Sequence, residues 1–364
     1  MAWQPTKGRD EIIGHDAVVA RFTRAAAQGR IGGAYLFVGP AGVGKGTVAR
    51  ALAKSLLCER PSPGLVACGA CASCVQAEAG SHPDIDVVSK PPDRATIPLE
   101  SLVGDTEHRM REGFCWRLLL RPALGGRKVG ILLDADHLQE EAANCLLKTL
   151  EEPPDRALVI LVGTALERQL PTIRSRCQIV RFRPLDEPTV RDLLAKESAA
   201  AGLHAEPTAL ARAAAAAGGS LDRARLWLDP DVTAFRIRLL DLLGRRPLRG
   251  VELSRETIAL VEAAGKEAPP RRARLRVVFE TAIDFFRAAL RRSLAAERVA
   301  DADMDRASAA WQGDPEEATR ALERTLASLE AVDRNATLTI LVDAWTAALE
   351  QAAGTAASPT PHRG

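Results

Sequence analysis

The chain has 364 residues, longer than one typical core, so two or three domains are expected. Its 49 basic residues against 47 acidic ones leave a net charge of +2, which excludes a broadly basic nucleic-acid binder and confines any DNA contact to a local patch. Aromatic residues make up only 4% and alanine is dense in the second half, which favours closely packed helices over a β-sandwich. Residues 1–10 hold no apolar signal core, and no stretch of about 18 uninterrupted apolar residues follows, so a cytosolic protein without a membrane span is predicted.

The first predicted strand, Ala34–Gly39, runs into Gly-Pro-Ala-Gly-Val-Gly-Lys-Gly-Thr at residues 39–47, and a helical stretch, Val48–Leu57, follows. Strand, loop and helix together mark a phosphate-binding loop: Gly39, Gly42 and Gly44 let backbone N–H groups face phosphate oxygens, and Lys45 supplies a point charge. Where a Ser or Thr hydroxyl would hold magnesium stands Gly46. Thr47 comes one residue late, turned by about 100° around the helix.

Four of the seven cysteines, Cys58, Cys68, Cys71 and Cys74, crowd into one segment with two overlapping C-x-x-C steps. In a reducing cytosol that crowding points to metal before disulfides, and four thiolates leave no open coordination position, so structural zinc is predicted. Cys115, Cys145 and Cys177 are scattered, and the six histidines show no metal or triad spacing. Beyond a second strand, Ile85–Val88, the stretch His108–Lys128 carries Arg109, Arg111, Arg117, Arg121, Arg127 and Lys128 against only Glu112. It suits a phosphate backbone and a solvated basic helix about equally.

The third strand, Val129–Asp134, ends in a carboxylate suited to hold magnesium beside the phosphate loop. Ala135 follows where glutamate would orient the attacking water, and Asp136 is expected to point elsewhere. A helix over Leu138–Glu151 places Leu138, Ala142, Cys145, Leu146, Thr149 and Leu150 on one face, and Pro153 and Pro154 stop it. Leu158–Thr164 is the fourth strand, with Thr164 at its end counted among the nucleotide contacts. Ser175-Arg176-Cys177 precedes the fifth, Gln178–Phe182, and an arginine at that rim can act in trans on a neighbour's γ-phosphate, although a surface arginine is the commoner role. Such alternation predicts a parallel sheet with helices on both faces. After Leu185 the chain reads as helical: a short unit to about Asp231, broken at Gly218-Gly219-Ser220, then a bundle with periodic segments Arg276–Ala296, Pro315–Leu329 and Leu338–Gln351. Residues 354–364 read as a disordered tail.

The run Asn144-Cys145-Leu146-Leu147-Lys148-Thr149-Leu150-Glu151-Glu152-Pro153-Pro154, the cysteines after the phosphate-loop helix and Ser175-Arg176-Cys177 together resemble the clamp-loader branch of the AAA+ proteins in bacterial DNA polymerase III. The likeness is strong over about residues 10–185 and loose beyond, helped by Asn335 before Leu338-Thr339-Ile340-Leu341. It implies an AAA+ α/β nucleotide-binding-like domain at 1–182 with a zinc module at 58–74, a helical lid at 183–231 and a helical collar at 232–353 that joins a multi-subunit ring. Implied partners are gamma/tau and delta subunits, the sliding clamp and, through the assembly, primed DNA. Motor subunits of that family are expected to carry Lys then Thr or Ser, an Asp-Glu pair, and an arginine shortly after Gly-Ser in the lid. This chain has Gly46, Ala135 and Asp222 at those places, with Arg223 next door. The losses resemble the delta prime kind, a stator donating Arg176 to a neighbour's ATP with little or no hydrolysis of its own. Lys45 and the glycines leave ATP or ADP binding open, with little help from magnesium. The rival readings are an ATP-hydrolysing motor of the gamma/tau kind and a zinc-binding AAA-like adaptor unrelated to replication.

Overall fold

Five apolar runs become one parallel sheet of β1 (Gly33–Val38), β2 (Ile85–Val88), β3 (Lys128–Leu132), β4 (Ala157–Gly163) and β5 (Gln178–Arg181), in the order β2-β3-β4-β1-β5. The computed structural model describes residues 12–354 apart from 63–64, 93, 106, 109–110, 125, 155, 203–204, 296–298, 300 and 335. The first ten residues, Arg109, Asn335 and the predicted tail beyond Gly354 therefore lie outside the described residues.

The chain divides into two compact units: residues up to Asp192 together with Gly219–Asp222, and Leu193–Gly218 together with Arg223 onward. In the first, helices α1 (Asp16–Ala27), α2 (Lys45–Leu57), α3 (Ala72–Ala79), α4 (Leu99–Val103), α5 (Gly113–Leu119), α6 (Glu140–Glu151) and α7 (Pro171–Arg174) alternate with the strands. The central strands are apolar almost throughout because both faces are covered, the behaviour of a parallel sheet, with Lys128 at the start of β3 the charged exception. Tyr35, Phe37, Val129, Ile131, Leu158 and Ile160 pack with Phe22 of α1 and Val48, Ala49 and Leu52 of α2. Leu36, Val38, Leu132, Val159 and Leu161 point to the opposite face and pack with Leu102, Phe114, Leu118, Leu146 and Leu150. Each fully buried side chain of this kind contributes about 1.5–3 kcal/mol. Helix α6 begins two residues later than its pattern suggests, because Ala135–His137 form a 3-10 turn and Leu138 is extended.

The second unit is helical. Helix α8 (Glu187–Ala200) leads into it, followed by α9 (Pro207–Ala216), α10 (Leu221–Leu226), α11 (Pro230–Gly244), α12 (Gly250–Glu262), α13 (Ala268–Ala295), α14 (Ala302–Ala310), α15 (Pro315–Asp333) and α16 (Leu338–Gly354). The three predicted periodic segments are the cores of α13, α15 and α16. They meet where Phe279 stands edge-on to Trp345 at 4.9 Å and the Trp345 indole donates to Thr325 Oγ1 at 3.0 Å. No helix among the described residues is long and apolar enough to cross a membrane.

One glycine marks a close approach of sheet and helix. A Cβ at Gly130 in β3 would lie 2.7 Å from Phe114 Cζ and 2.8 Å from Leu118 Cδ2 on α5. Gly130→Ala is therefore expected to destabilise the protein by about 1–3 kcal/mol through overpacking, read as a lower urea midpoint. An unchanged midpoint would contradict this packing.

Candidate functional site

The phosphate loop leaves the carboxyl end of β1, which lies between β4 and β5, the edge of an open parallel sheet where ligands bind. Helix α2 starts at Lys45 rather than Val48, with Gly44 as its N-cap at φ +95°, a conformation glycine adopts at no steric cost. The loop thereby ends on the unpaired N–H groups of a helix start. Gly42, at φ +73°, is constrained twice. Its carbonyl accepts from Leu221 N–H at 2.9 Å, and a Cβ there would lie 2.2 Å from Ser220 Oγ and 3.0 Å from Asp222 Oδ2.

Lys45 is only 6% exposed, and its Nζ donates to the carbonyls of Gly39 at 2.6 Å and Pro40 at 2.5 Å. Burial pulls its pKa down to about 8, against the opposing charges of Asp136, Asp222 and Asp134 in that order. A side chain at Gly46 would be crowded: a Cβ there would stand 3.3 Å from Leu133 Cδ2, tighter than an ordinary van der Waals contact. Thr47 sits half-buried one position further along α2.

Strand β3 stops at Leu132, so Asp134, expected as its last residue, lies two residues beyond it in the left-handed region at φ +57°, a strain of about 1–3 kcal/mol. Its Oδ2 accepts from Lys90 N–H at 3.3 Å. Asp136, expected to point elsewhere, is instead the largest opposing charge on Lys45. Its Oδ2 accepts Thr164 N–H at 2.7 Å and its Oδ1 accepts from Gln169 Nε2. Thr164 serves through its main chain: its carbonyl accepts Gly39 N–H at 3.2 Å, so β4, the phosphate loop and Asp136 are stitched together. The left-handed turn at Asp134 followed by a 3-10 turn brings Asp136 round, and no periodicity in the sequence announces it.

Nothing in the spacing of His15 singles it out, yet its ring supports the loop. Nε2–H donates to Val43 O at 2.6 Å, and the ring stands edge-on to Phe182 at 4.9 Å. Burial lowers its pKa, which keeps it neutral beneath Lys45. Arg223, the neighbour of Asp222, is engaged within the helical unit by Glu280 at 3.2 Å and Asp284 at 2.8 Å.

Arg176 follows α7, with its side chain 30% exposed. Nε donates to Glu151 Oε1 at 2.5 Å, and Nη1 donates to Thr172 O at 3.0 Å and Ser175 Oγ at 3.2 Å. A fan of three acceptors around a planar guanidinium fixes its direction. The adjacent Cys177 is a core thiol, pushed up to about 12 by burial.

The four cysteine sulfurs lie within 4.8 Å of one another, with Cys58 and Cys71 Sγ 4.0 Å apart. Tetrahedral zinc with bonds of about 2.3 Å requires sulfur separations of about 3.8 Å, so the donor set fits that ion. Cys58 caps the C-terminus of α2 and Cys71 the N-terminus of α3. Backbone N–H groups of Cys68, Cys71 and Cys74 donate to the sulfurs of Cys58, Cys68 and Cys71 at 3.3–3.4 Å, favouring thiolates. Those of Ala70 and Cys71 pull the Cys68 thiol down to about 6, whereas burial pushes Cys74 up to about 12. Ser73 ties the module to α2, donating to Leu57 O at 2.6 Å and accepting from His82 Nε2 at 2.9 Å.

The basic stretch is not one surface. Arg117 pairs with Asp86 at 2.7 Å, Lys128 is buried with Asp84 at 3.3 Å, and Arg127 donates to Ile31 O. Arg111 and Arg121 are exposed.

Residues 14–186 match the family model described as DNA polymerase III, delta subunit. DNA polymerase III subunit gamma/tau of Mycobacterium bovis is 34% identical over 260 residues, 70% of this chain and 43% of that protein. Subunit delta' of Pseudomonas aeruginosa is 42% identical over 144 residues, 40% of this chain and 41% of that protein. The chain thus spans less than half the length of these curated relatives. Among solved structures, the Thermotoga maritima RuvB Holliday junction branch migration motor aligns at a TM-score of 0.41 and 16% identity over 81% of this chain and 80% of its own, too remote to carry an argument.

Lys45 makes stability depend on pH in a definite direction. Below about pH 8 the folded protein holds a buried ammonium at a cost; above it the folded state releases the proton while the unfolded chain keeps it. Wild type should therefore gain about 2 kcal/mol relative to Lys45→Met between about pH 7 and about pH 9.5, measured by urea unfolding at both. A constant difference would contradict the burial of this charge.

Proposed function

This chain belongs to the clamp-loader family of DNA polymerase III, and on that footing we propose that it is a delta prime-like stator. It presents Arg176 to nucleotide held by a neighbouring gamma/tau-type ATPase subunit. With that subunit and a delta subunit it takes part, in the cytoplasm, in placing a sliding clamp on primed DNA. The observation that carries this reading is the state of its own loop. Lys45 is retained, but Leu133 is the nearest neighbour of the missing hydroxyl position, Ala135 is buried where a water-orienting carboxylate would stand, and Asp222 lies over Gly42 where the lid would supply a cation. Arg176, by contrast, is partly exposed and directionally fixed. An arginine delivered in trans stabilises charge developing on the transferred phosphoryl group, and this role needs no hydrolysis at the donor's own loop.

Replacing Arg176 with alanine in a reconstituted assembly should lower DNA-stimulated ATP turnover at one neighbouring site by at least about tenfold. Unchanged turnover would sink the trans role. The retained Lys45 and the longer gamma/tau alignment favour a second reading, a motor that hydrolyses ATP itself. ATP turnover by the purified chain that Lys45→Ala abolishes would select the motor, and turnover at background selects the stator.

The cysteine module holds one structural zinc in this reading, with Cys58, Cys68, Cys71 and Cys74 as ligands. Elemental analysis of protein prepared without chelators should find one zinc per chain, and Cys71→Ser should release it and expose the local loop to protease. Metal-free wild type would refute the site.

A further inference from the structure

The phosphate loop meets an internal occupant. Leu221 N–H donates to Gly42 O at 2.9 Å, so the segment Ser220–Asp222 lies directly on the loop, and only the missing side chain of Gly42 makes room for it. Lys45, which in a filled loop reaches forward to phosphate, is folded back on the carbonyls of Gly39 and Pro40. Three carboxylates, Asp134, Asp136 and Asp222, surround this one ammonium electrostatically. Asp134 and Asp136 are also committed to backbone N–H groups of Lys90 and Thr164, which explains their presence by the local fold. Asp222 arrives from a distant part of the chain, on the segment that Leu221 ties to Gly42, and places a negative charge over a loop built to attract one.

We propose that Asp222 is a specificity-determining residue that sets this loop against nucleoside triphosphates by holding a carboxylate beside Gly42, in the space an incoming terminal phosphate needs. The inference rests on reading residues 39–47 as a nucleotide-facing loop. A ligand must displace or approach the Asp222 carboxylate, and the repulsion grows with ligand charge. A triphosphate carries one more negative charge than a diphosphate and meets no hydroxyl at Gly46 to bring magnesium in as compensation. The loop therefore admits a nucleoside diphosphate more readily than the triphosphate, and Asp222 is the residue that makes the difference.

The test is isothermal titration of ADP and ATP into the full-length protein, in EDTA and again in magnesium, with wild type, Asp222→Asn, Asp222→Glu and Asp222→Asn combined with Lys45→Ala. Asp222→Asn keeps the shape and removes the charge. It should tighten ATP by at least about tenfold and ADP by less. Asp222→Glu, which restores the charge, should return to wild-type behaviour, and the added Lys45→Ala should abolish the gain. Thermal melts report whether each variant is folded. ATP and ADP affinities of Asp222→Asn within twofold of measurable wild-type values would overturn the proposal and leave the loop's phosphate grip standing. Weaker ATP binding by Asp222→Asn in magnesium would overturn it by making Asp222 a metal holder. Absence of binding by wild type and Asp222→Asn alike would overturn both the proposal and the nucleotide reading of the loop.

Discussion

A buried ammonium has to be surrounded by acceptors or by opposite charge, because moving it out of water unpaired costs more than a small domain can supply. Lys45 imposes that requirement on the carboxyl edge of the sheet. The loop after β1 turns two of its carbonyls inward, the end of β3 turns through a left-handed residue, and the start of β4's outgoing loop is hydrogen-bonded to Asp136. Three chain segments far apart in sequence are held at one edge for one cation. Those contacts act together with the Leu221 N–H on Gly42 O and the His15 ring on Val43 O to fix the conformation of the loop.

Helix α2 carries this constraint to a second place. Its first residue is Lys45 and its C-cap is Cys58, so the phosphate loop and the cysteine module sit at opposite ends of one 13-residue rod, roughly 20 Å long. The rod is fixed sideways by Val48, Ala49, Leu52 and Ala53 in the sheet core. Its far end is fixed by Ser73 on Leu57 O and by Lys54 with Glu78 at 3.3 Å. A closed tetrahedral ion there would stiffen the end of the same helix whose beginning defines the loop, a structural task that needs no free coordination position.

The sheet was legible because a strand buried on both faces must be largely apolar, and β1, β3 and β4 satisfy this apart from Gly33, Gly130, Gly163, the Tyr35 hydroxyl and Lys128. Helix α6 was legible because Leu146 and Leu150 recur on one face, and the cysteines because their spacing matches their geometry. The basic stretch misled for a definite reason. The carboxylates that neutralise Arg117 and Lys128 lie at or just before β2, more than 30 residues away in sequence: the β2-β3 pairing brings Asp84 to Lys128, and the packing of α5 on β2 brings Asp86 to Arg117. The expected direction of Asp136 was wrong and nothing pointed to His15, since both act through the direction of one side chain and not through any repeating pattern.

Helix α6 joins the two halves of the functional reading. It starts four residues after Asp136, on the receiving side of the chain's own loop, and ends at Glu151, which holds Arg176. Ala142, Ala143, Leu146 and Leu150 lock it into the core between these points, so its 12 residues form a rigid spacer of roughly 18 Å. Anchored in this way, the helix sets the position of Glu151, and through it the direction of Arg176, against the sheet core. Under the proposed stator role that anchoring would suit Arg176 to meet a neighbour's phosphate, because its guanidinium is held in direction by Glu151, Thr172 and Ser175 and is still 30% exposed.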